Sequence, residues 1–369
     1  MRALAITESD DHVCGRYRVR AFAGAVRSRG WSIETRGLAR GLVARLRQFR
    51  DAKGFETVLL QRKLLPDWQL GLLRRQARAL IFDFDDAVLY RDSYDPRGPH
   101  CPRRLRRFRR TVRAADAVIA GNAFLAEAAE AAGANPDRIR IIPTCIDLDR
   151  YPSPRMASTP RVDDGVELAW VGSSSTLAGL ESTRGIWEAI GRDVSGARLR
   201  LICDRFPDFG PLAVVADPWS ETSEAASLAR ADVGVSWIPD DLWSRGKCGL
   251  KVLQYGAAGL PTIANTVGVH PEMIHPGETG FLVDSTEAWV EAARSLRDDA
   301  GLASRMGDSA RRAVEQCYST EVWGQTFARV ITGEATPSLP RPRSLPDQVG
   351  GPRGMIPRPD RRIADGTYR

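Results

Sequence analysis

The chain has 369 residues, of which 43% are hydrophobic, and it carries a formal net charge of +7. This length and composition can bury a large apolar core, which excludes an intrinsically disordered chain and favours two domains over one. No run approaches the roughly 18 uninterrupted apolar residues of a membrane span, and acidic residues interrupt the amino terminus before a signal-like apolar core. We therefore expect a cytoplasmic protein whose positive charge suits an anionic ligand: nucleic acid, an acidic membrane surface or a phosphorylated small molecule.

Short apolar runs alternate with longer amphipathic stretches, which is the pattern of βα units around a parallel sheet. A stretch of proline, serine and charge at 151–165 predicts a linker, and an amphipathic helix at 320–331 must dock on an apolar surface. The predicted strands are residues 3–7, 57–61, 79–84, 117–120, 140–143, 167–171, 198–203, 233–237, 261–264 and 280–283. The predicted organisation is a first Rossmann-like domain at 1–155, a second at 156–319, the docking helix at 320–333 and a disordered Pro/Arg-rich tail at 334–369.

A small-residue turn, Cys14-Gly15-Arg16, follows the first predicted strand. The carboxyl end of a parallel strand is where ligands of open α/β sheets gather, so Arg16 is a candidate contact to an anionic ligand. An ordinary surface arginine at a helix start is the alternative.

Three aspartates end the strand at 79–84, in the run FDFDDAVLY at 82–90. Asp85 or Asp86 is predicted to bind acceptor hydroxyls or to face the reacting group, with helix capping as the alternative. The same run resembles the D-x-D start of haloacid-dehalogenase-type phosphatases, in which the first aspartate, here Asp83, would be phosphorylated. Ala87 stands where that family prefers threonine or valine.

Seven arginines crowd the run at 103–113, and Leu105, Phe108 and Val112 share one helical face within it. The run predicts a basic amphipathic helix, which serves either as a solvated face over a small core stripe or as a contact to an anionic membrane or lipid phosphate. Nucleic acid is a poor third interpretation because no helix-turn-helix, zinc spacing or aromatic platform accompanies the run. Since the cysteines and histidines show no metal-ligand spacing either, we expect no metal site.

The most informative segment is 231–264, where a strand runs into a polar loop and then a helix. Glycines at a helix start let a ligand approach the backbone, and the first N–H groups favour an anion. Lys247 and Lys251 place two positive charges one turn apart on the same helical face, so the arrangement suits a diphosphate better than a carboxylate. The predicted first turn consists of Gly246, Lys247, Cys248 and Gly249.

That segment resembles the donor-site helix of the retaining family 4 glycosyltransferases, which have the GT-B architecture of two Rossmann-like domains facing across a cleft. Several further segments resemble the family's motifs in the family's order, and a series of linked motifs is more specific than any one of them. These segments are 121–151, 168–172, 268–284 and 302–317.

The resemblance implies that a nucleotide-sugar donor lies across the second domain, with its ribose at Gln254. The diphosphate would lie between the turn of Gly172, Ser173 and Ser174 on one side and Lys247 and Lys251 on the other. Cys248 and Gly249 would line the same donor site.

The sequence departs from the family pattern at four positions, one of which is Ser173, where the family commonly has a basic residue just after the first strand of the second domain. Of the two glutamates that the family usually carries on the donor-site helix, the first aligns with Gly246 and the second with Gln254. Asp85 stands near the position of the histidine that the family often places in the first domain. Gln254 retains an amide oxygen that can accept a ribose hydroxyl.

The resemblance therefore implies transfer of a sugar to a hydroxyl of a glycan or lipid-linked acceptor, with retention and without a metal or other cofactor. Lys247 and Asp85 are the candidate catalytic residues. Polysaccharide or glycolipid synthesis, with peripheral contact to an anionic membrane, is the expected setting. The alternatives are the Asp83 phosphatase and a catalytically impaired nucleotide-sugar-binding homologue.

Overall fold

The computed structural model describes residues 1–10, 13–151 and 165–335. Most of the predicted linker and nearly all of the predicted disordered tail therefore lie outside the described residues.

Two parallel six-stranded sheets organise the chain, and they confirm the predicted α/β class. The first sheet has the order β2-β1-β3-β4-β5-β6 and the second the order β12-β11-β10-β7-β8-β9. The strands of the first sheet are β1 Arg2–Thr7, β2 Ser32–Gly37, β3 Thr57–Gln61, β4 Ala79–Phe84, β5 Ala117–Ala120 and β6 Ile139–Ile141. Those of the second are β7 Val166–Val171, β8 Ala197–Cys203, β9 Ala213–Pro218, β10 Val233–Ser236, β11 Thr262–Ala264 and β12 Gly280–Leu282.

All ten predicted strands are present, with ends that differ by at most two residues. Strands β2 and β9 were not predicted from the sequence, and both lie at the edge of a sheet. Their residues alternate between partial and full exposure instead of forming a buried apolar run, so the apolar signal that marks the central strands is absent.

Helices cover both sheets. In the first half of the chain they are α1 Val13–Arg18, α2 Ala23–Arg27, α3 Leu42–Asp51, α4 Asp67–Gln76, α5 Pro102–Ala114 and α6 Ala123–Ala131. In the second half they are α7 Ser174–Ser182, α8 Arg184–Asp193, α9 Glu224–Leu228, α10 Leu250–Ala257, α11 His270–Met273, α12 Thr286–Asp298, α13 Ala300–Cys317 and α14 Thr320–Thr332. None of the helices in the described ranges combines the length and apolar character needed to cross a bilayer.

The arginine-rich helix α5 uses its apolar stripe inside the fold. Phe108 is fully buried, and its ring meets the ring of Phe84 edge-on at 5.3 Å between centroids. Val112 is buried beside it. The stripe is therefore core, which leaves the arginines as the part of α5 that can meet a ligand or a surface.

The last helix, α14, packs on the first half of the chain, although the second half precedes it in sequence. The rings of Phe327 and Phe22 stack at 4.6 Å, and the hydroxyl of Thr57 donates to the carbonyl of Ile331 at 2.8 Å. α14 thus completes the apolar cover of the first sheet from the far end of the chain.

Candidate functional site

The loop after β10, residues 237–249, lies between the two halves and differs from its prediction. Gly246 to Gly249 do not form the first turn of a helix, because α10 begins only at Leu250. Gly249 precedes it with a φ of 65°, a left-handed conformation that cannot continue an α-helix. A Cβ at this position would lie 2.3 Å from the sulfur of Met273, so the site requires glycine.

Cys248 joins the loop to the first half of the chain. Its side chain is buried in the apolar core of that half, and burial raises the pKa of its thiol well above the ordinary value. A Cβ on Gly121 would lie 2.3 Å from the Cys248 sulfur, and the amide of Asn122 donates to the carbonyl of Lys247 at 3.0 Å. The structure therefore places Cys248 at the contact between the halves, where its thiol fills space against the first sheet.

Gly246 lies against the first half as closely as Cys248 does. A Cβ at Gly246 would come within 2.6 Å of the Cβ of Ala87 and 2.8 Å of the Ala87 nitrogen. In this arrangement of the halves, no side chain fits where the family usually has its first glutamate.

Lys251 brings its ammonium group to the carboxyl end of β7. The Nζ atom donates to the carbonyl of Val171 and lies 4.2 Å from the ring centroid of Trp170. A Cβ at Gly172 would lie 2.6 Å from this nitrogen, which explains the glycine in the turn. Burial and, to a smaller extent, repulsion from Lys247 lower the pKa of Lys251 from 10.5 to about 7. The two lysines predicted to act together are therefore close enough to influence each other's charge.

A buried histidine lies behind the lysines. His270 Nδ1 is 2.9 Å from the carbonyl oxygen of Asn265, and Nε2 is 3.0 Å from the hydroxyl of Ser236. The carbonyl can only accept, so Nδ1 carries the proton and Nε2 accepts from Ser236. Burial above all, with a contribution from Lys247, lowers the pKa of His270 to about 4. A neutral imidazole thus supports the loop.

The serine turn after β7 is hydrogen-bonded to the carboxylate of Asp204. Asp204 accepts from the backbone N–H of Ser174 at 2.7 Å and from its hydroxyl at 2.9 Å, and these hydrogen bonds lower the pKa of Asp204. The hydroxyl of Ser173 lies 2.8 Å from that of Ser175 and is exposed. A phosphate at this turn would have to share or replace the Asp204 contact.

The Arg16 side chain connects the two halves of the chain, and it is buried and ion-paired. It donates to Glu224 at 2.5 Å, and the two side chains are only 6% and 5% exposed. The hydroxyls of Tyr17 and Tyr151 donate to the same carboxylate oxygen at 2.9 and 3.1 Å. Burial would raise the pKa of Glu224, but the Arg16 guanidinium and the hydrogen bonds outweigh burial and lower it. The interpretation of Arg16 as a surface arginine is wrong.

Gln254 belongs to the same interdomain network. Its amide nitrogen donates to the hydroxyl of Tyr17 at 3.2 Å, and the residue is 3% exposed. Within the described residues its amide oxygen forms no hydrogen bond, so that atom is the one left for the ribose contact predicted from the sequence.

The Asp83 side chain is fully buried inside the first half of the chain. Two atoms of the Arg18 guanidinium donate to its carboxylate at 2.5 and 3.3 Å, and neither side chain is more than 1% exposed. Burial raises the pKa of Asp83 to about 6 against the opposing effect of Arg18. A carboxylate that must attack a phosphate has to be accessible, so the phosphatase interpretation of Asp83 is wrong. The described residues also contain no cluster of three or more His, Cys, Asp or Glu that could hold a metal ion.

Asp85 and Asp86, by contrast, reach the space between the halves. Asp86 pairs with Arg62 at 2.7 Å, while Asp85 lies 3.8 Å from Arg62 and accepts from the amide of Gln61 at 3.3 Å. Their side chains keep 11% and 19% exposure, for Asp85 and Asp86 respectively. The backbone of Asp85 also lies against Gly121, the residue that contacts Cys248. The structure therefore brings the aspartate run and the 237–249 loop together.

Two six-stranded parallel sheets flanked by helices, with loops of the two halves in contact, match the GT-B class of fold. Residues 218–299 match a family described as glycosyl transferases group 1. Among solved structures, HepE from Anabaena in complex with UDP and glucose superimposes with a TM-score of 0.65 over 90% of this chain and 100% of that one, at 14% sequence identity. At this identity the likeness shows the fold.

Curated relatives carry the name D-inositol 3-phosphate glycosyltransferase. The one from Streptomyces avermitilis is 35% identical over 98 residues, which is 26% of this chain and 21% of that protein. The one from Corynebacterium efficiens is 26% identical over 251 residues, 59% of this chain and 57% of that protein. The matched regions thus span between about a fifth and just over half of these relatives.

Proposed function

We propose that this protein is a glycosyltransferase that moves a sugar from a nucleoside-diphosphate sugar to a hydroxyl of an acceptor held between the two halves. The observation that carries the proposal is the pair Lys247 and Lys251. In the described residues neither ammonium forms an ion pair with a carboxylate, and the pKa of Lys251 is lowered to about 7. Two neighbouring amines without a carboxylate partner suit a diphosphate, because the phosphate charges stabilise their protonated forms.

The lysines supply what the chemistry needs. As the bond between sugar and phosphate breaks, positive charge develops on the sugar ring and negative charge on the leaving diphosphate. Fixed cations aimed at the developing negative charge lower the barrier without reorganising. Since two ammonium groups can do this, we propose a reaction that needs no metal.

The acceptor side of the reaction belongs to the aspartate run. Asp85 and Asp86 lie at the carboxyl end of β4 and face the 237–249 loop, where they can accept hydrogen bonds from acceptor hydroxyls. Following the resemblance to the retaining family 4 enzymes, we propose retention of configuration, with the departing phosphate oxygen taking the acceptor proton. Synthesis of a polysaccharide or glycolipid is the proposed setting.

The names of similar proteins support this function. The Anabaena structure contains UDP and glucose, and the relatives are named as transferases acting on an inositol phosphate. A nucleotide sugar is therefore the class of donor to test first.

One observation favours a second candidate, a protein that binds a nucleotide sugar without turning it over. Gly246 lacks the carboxylate that the family usually has there, and its close contact with Ala87 leaves no room for one. The two candidates differ in turnover and agree in binding.

A two-stage experiment separates them. A thermal-shift screen of the full chain against nucleotide sugars, with and without magnesium, identifies the donor that stabilises the fold. Release of nucleoside diphosphate from that donor, in magnesium and in EDTA, then measures turnover. Equal turnover in both supports the proposal. Stabilisation without any release supports the binding protein, and no stabilisation by any nucleotide sugar contradicts both.

A further inference from the structure

A large pocket opens in the first half of the chain, and Trp243 of the 237–249 loop lines part of it. Its volume is about 930 Å³, within the range of small-molecule sites. It lies at the carboxyl ends of β1, β3 and β4, and the start of α5 closes one side. We call it the basic pocket and define it by six of its lining residues: Arg45, Arg62, Lys63, Arg103, Arg104 and Arg107.

The lining of the basic pocket is strongly unbalanced in charge. Eight of the lining residues are arginine or lysine, and one, Glu8, is acidic. Four of these cations are paired: Lys63 with Glu8 at 2.6 Å, Arg62 with Asp86 at 2.7 Å, and both Arg91 and Arg97 with Asp95, at 3.8 and 2.6 Å. The other four cations of the lining are Arg45, Arg103, Arg104 and Arg107.

Four guanidinium groups have no carboxylate partner in the described part of the chain. Arg45 donates to the carbonyl of Ala39 at 3.1 Å, and Arg104 donates to that of Tyr90 at 2.6 Å. Arg107 reaches only a carbonyl at 3.5 Å, and its Nε atom is buried without any partner. Arg103, the fourth, is exposed at the start of α5. A buried donor without a partner is costly, so an acceptor atom supplied by a ligand fits this site.

The helix start adds to the positive potential. α5 is 13 residues long, and Cys101 precedes its first residue without a side-chain cap. The backbone N–H of Arg104 and the charge of Arg91 lower the pKa of the Cys101 thiol. The same N–H groups would favour any anion in the pocket.

The basic pocket adjoins the proposed reaction centre. Arg62 lines the pocket and also contacts Asp85 and Asp86. Trp243 lines it from the other side and belongs to the 237–249 loop, four residues before Lys247. A molecule bound in the pocket can therefore present a hydroxyl to the cleft.

From this geometry we propose that the basic pocket binds the acceptor, and that the acceptor carries a phosphate or diphosphate group. The inference rests on the proposed transferase function and adds the chemical class of the second substrate. Bidentate guanidinium contacts recognise phosphate well, and four unpaired guanidiniums exceed what a neutral glycan would need.

Cys101 offers a readout that needs no turnover. We would measure its alkylation by N-ethylmaleimide in the full chain, identifying the peptide by mass spectrometry. The soluble probe is glucose 6-phosphate, with glucose as its neutral control. The lipid probe is a polyprenyl phosphate in neutral phosphatidylcholine vesicles, with vesicles lacking it as control. We expect a phosphate-bearing probe to slow alkylation several-fold, and its controls to leave the rate unchanged.

Variants assign the effect to the pocket. Arg103→Gln, at an exposed position, and Arg107→Gln should each weaken protection about tenfold or more, the scale of one charged hydrogen bond. Arg110→Gln, on the same helix but exposed outside the pocket, should leave it unchanged. Protection by the sugar phosphate alone assigns a soluble acceptor, and protection by the polyprenyl phosphate alone assigns a lipid-linked one.

The outcomes separate this inference from the proposed function. Donor turnover without protection by either phosphate would overturn the anionic acceptor and leave the transferase standing. Protection that persists in both pocket variants would also overturn it, because binding would then lie elsewhere. A third outcome is that the variants lose protection but the wild-type protein releases no nucleotide from any donor. That result would support an anion site in the pocket and contradict the transferase function.

Discussion

Binding of a nucleoside diphosphate should be accompanied by uptake of a proton at Lys251. In the free protein, burial and the neighbouring Lys247 lower the pKa of this ammonium from 10.5 to about 7. A bound diphosphate favours the charged form and moves the pKa back toward its ordinary value. Because the charged form is then favoured in the complex, affinity should fall as pH rises above about 7.

The size of the effect follows from the pKa. At pH 8 a group with a pKa of about 7 is protonated in roughly a tenth of the molecules, so complex formation takes up about 0.9 proton. For the same reason the dissociation constant should rise about tenfold per pH unit above 7, until the pKa of the complex is reached. At pH 8 the phosphate of the nucleotide, with a second pKa of about 6, contributes little.

Isothermal titration calorimetry measures the uptake directly. UDP is titrated at pH 8 in HEPES and in Tris, and the slope of the observed enthalpy against the buffer ionisation enthalpy gives the number of protons. Lys251→Met should reduce the uptake to near zero. Wild-type binding with no uptake, or equal uptake in Lys251→Met, would refute the assignment of the titrating group.

Two further changes test the contact between the halves. Glu224→Gln removes the buried charge partner of the Arg16 guanidinium, leaving only the half-exposed Glu221 at 3.7 Å, and should lower the free energy of unfolding by about 3 kcal/mol, measured in urea. Gly246→Ala inserts a methyl group 2.6 Å from the Cβ of Ala87 and should cost about 1–3 kcal/mol in the same assay.

Both changes have matched controls. Glu221 lies 3.7 Å from the same guanidinium but is 43% exposed, so Glu221→Gln should change stability by less than about 1 kcal/mol. Gly185 lies in α8 with nothing within 4 Å of an added Cβ, so Gly185→Ala should be neutral or slightly stabilising. Equal losses in a variant and its control would contradict the packing described for that site.

The sequence was sufficient to predict the central strands and the fold class, because buried parallel strands are continuous apolar runs. The edge strands β2 and β9 could not be predicted in this way, because their faces are half exposed. The start of α10 was also misplaced, since glycine tolerates helical and left-handed backbone equally and the sequence does not show that Gly249 adopts a φ of 65°.

Site residues that lie close together in sequence were predicted, whereas contacts between residues far apart in sequence were missed. Lys247 and Lys251 are only four residues apart in sequence, so they stay near each other even though Lys247 lies outside α10. The partner of Arg16, Glu224, lies 208 residues away and carries no motif. Asp204 at the serine turn was missed for the same reason, and the burial of Asp83 beside Arg18 could not be distinguished from an accessible nucleophile.

The central claim is that the lysine pair stabilises a leaving diphosphate. Its most direct test is the steady-state rate of nucleoside diphosphate release by wild-type protein, Lys247→Ala and Lys53→Ala, with the donor found by the thermal-shift screen. Lys53 is exposed near the start of β3, away from the cleft. We predict a loss of about 10²–10³ in turnover for Lys247→Ala and none for Lys53→Ala. Equal turnover in the three proteins would contradict the account.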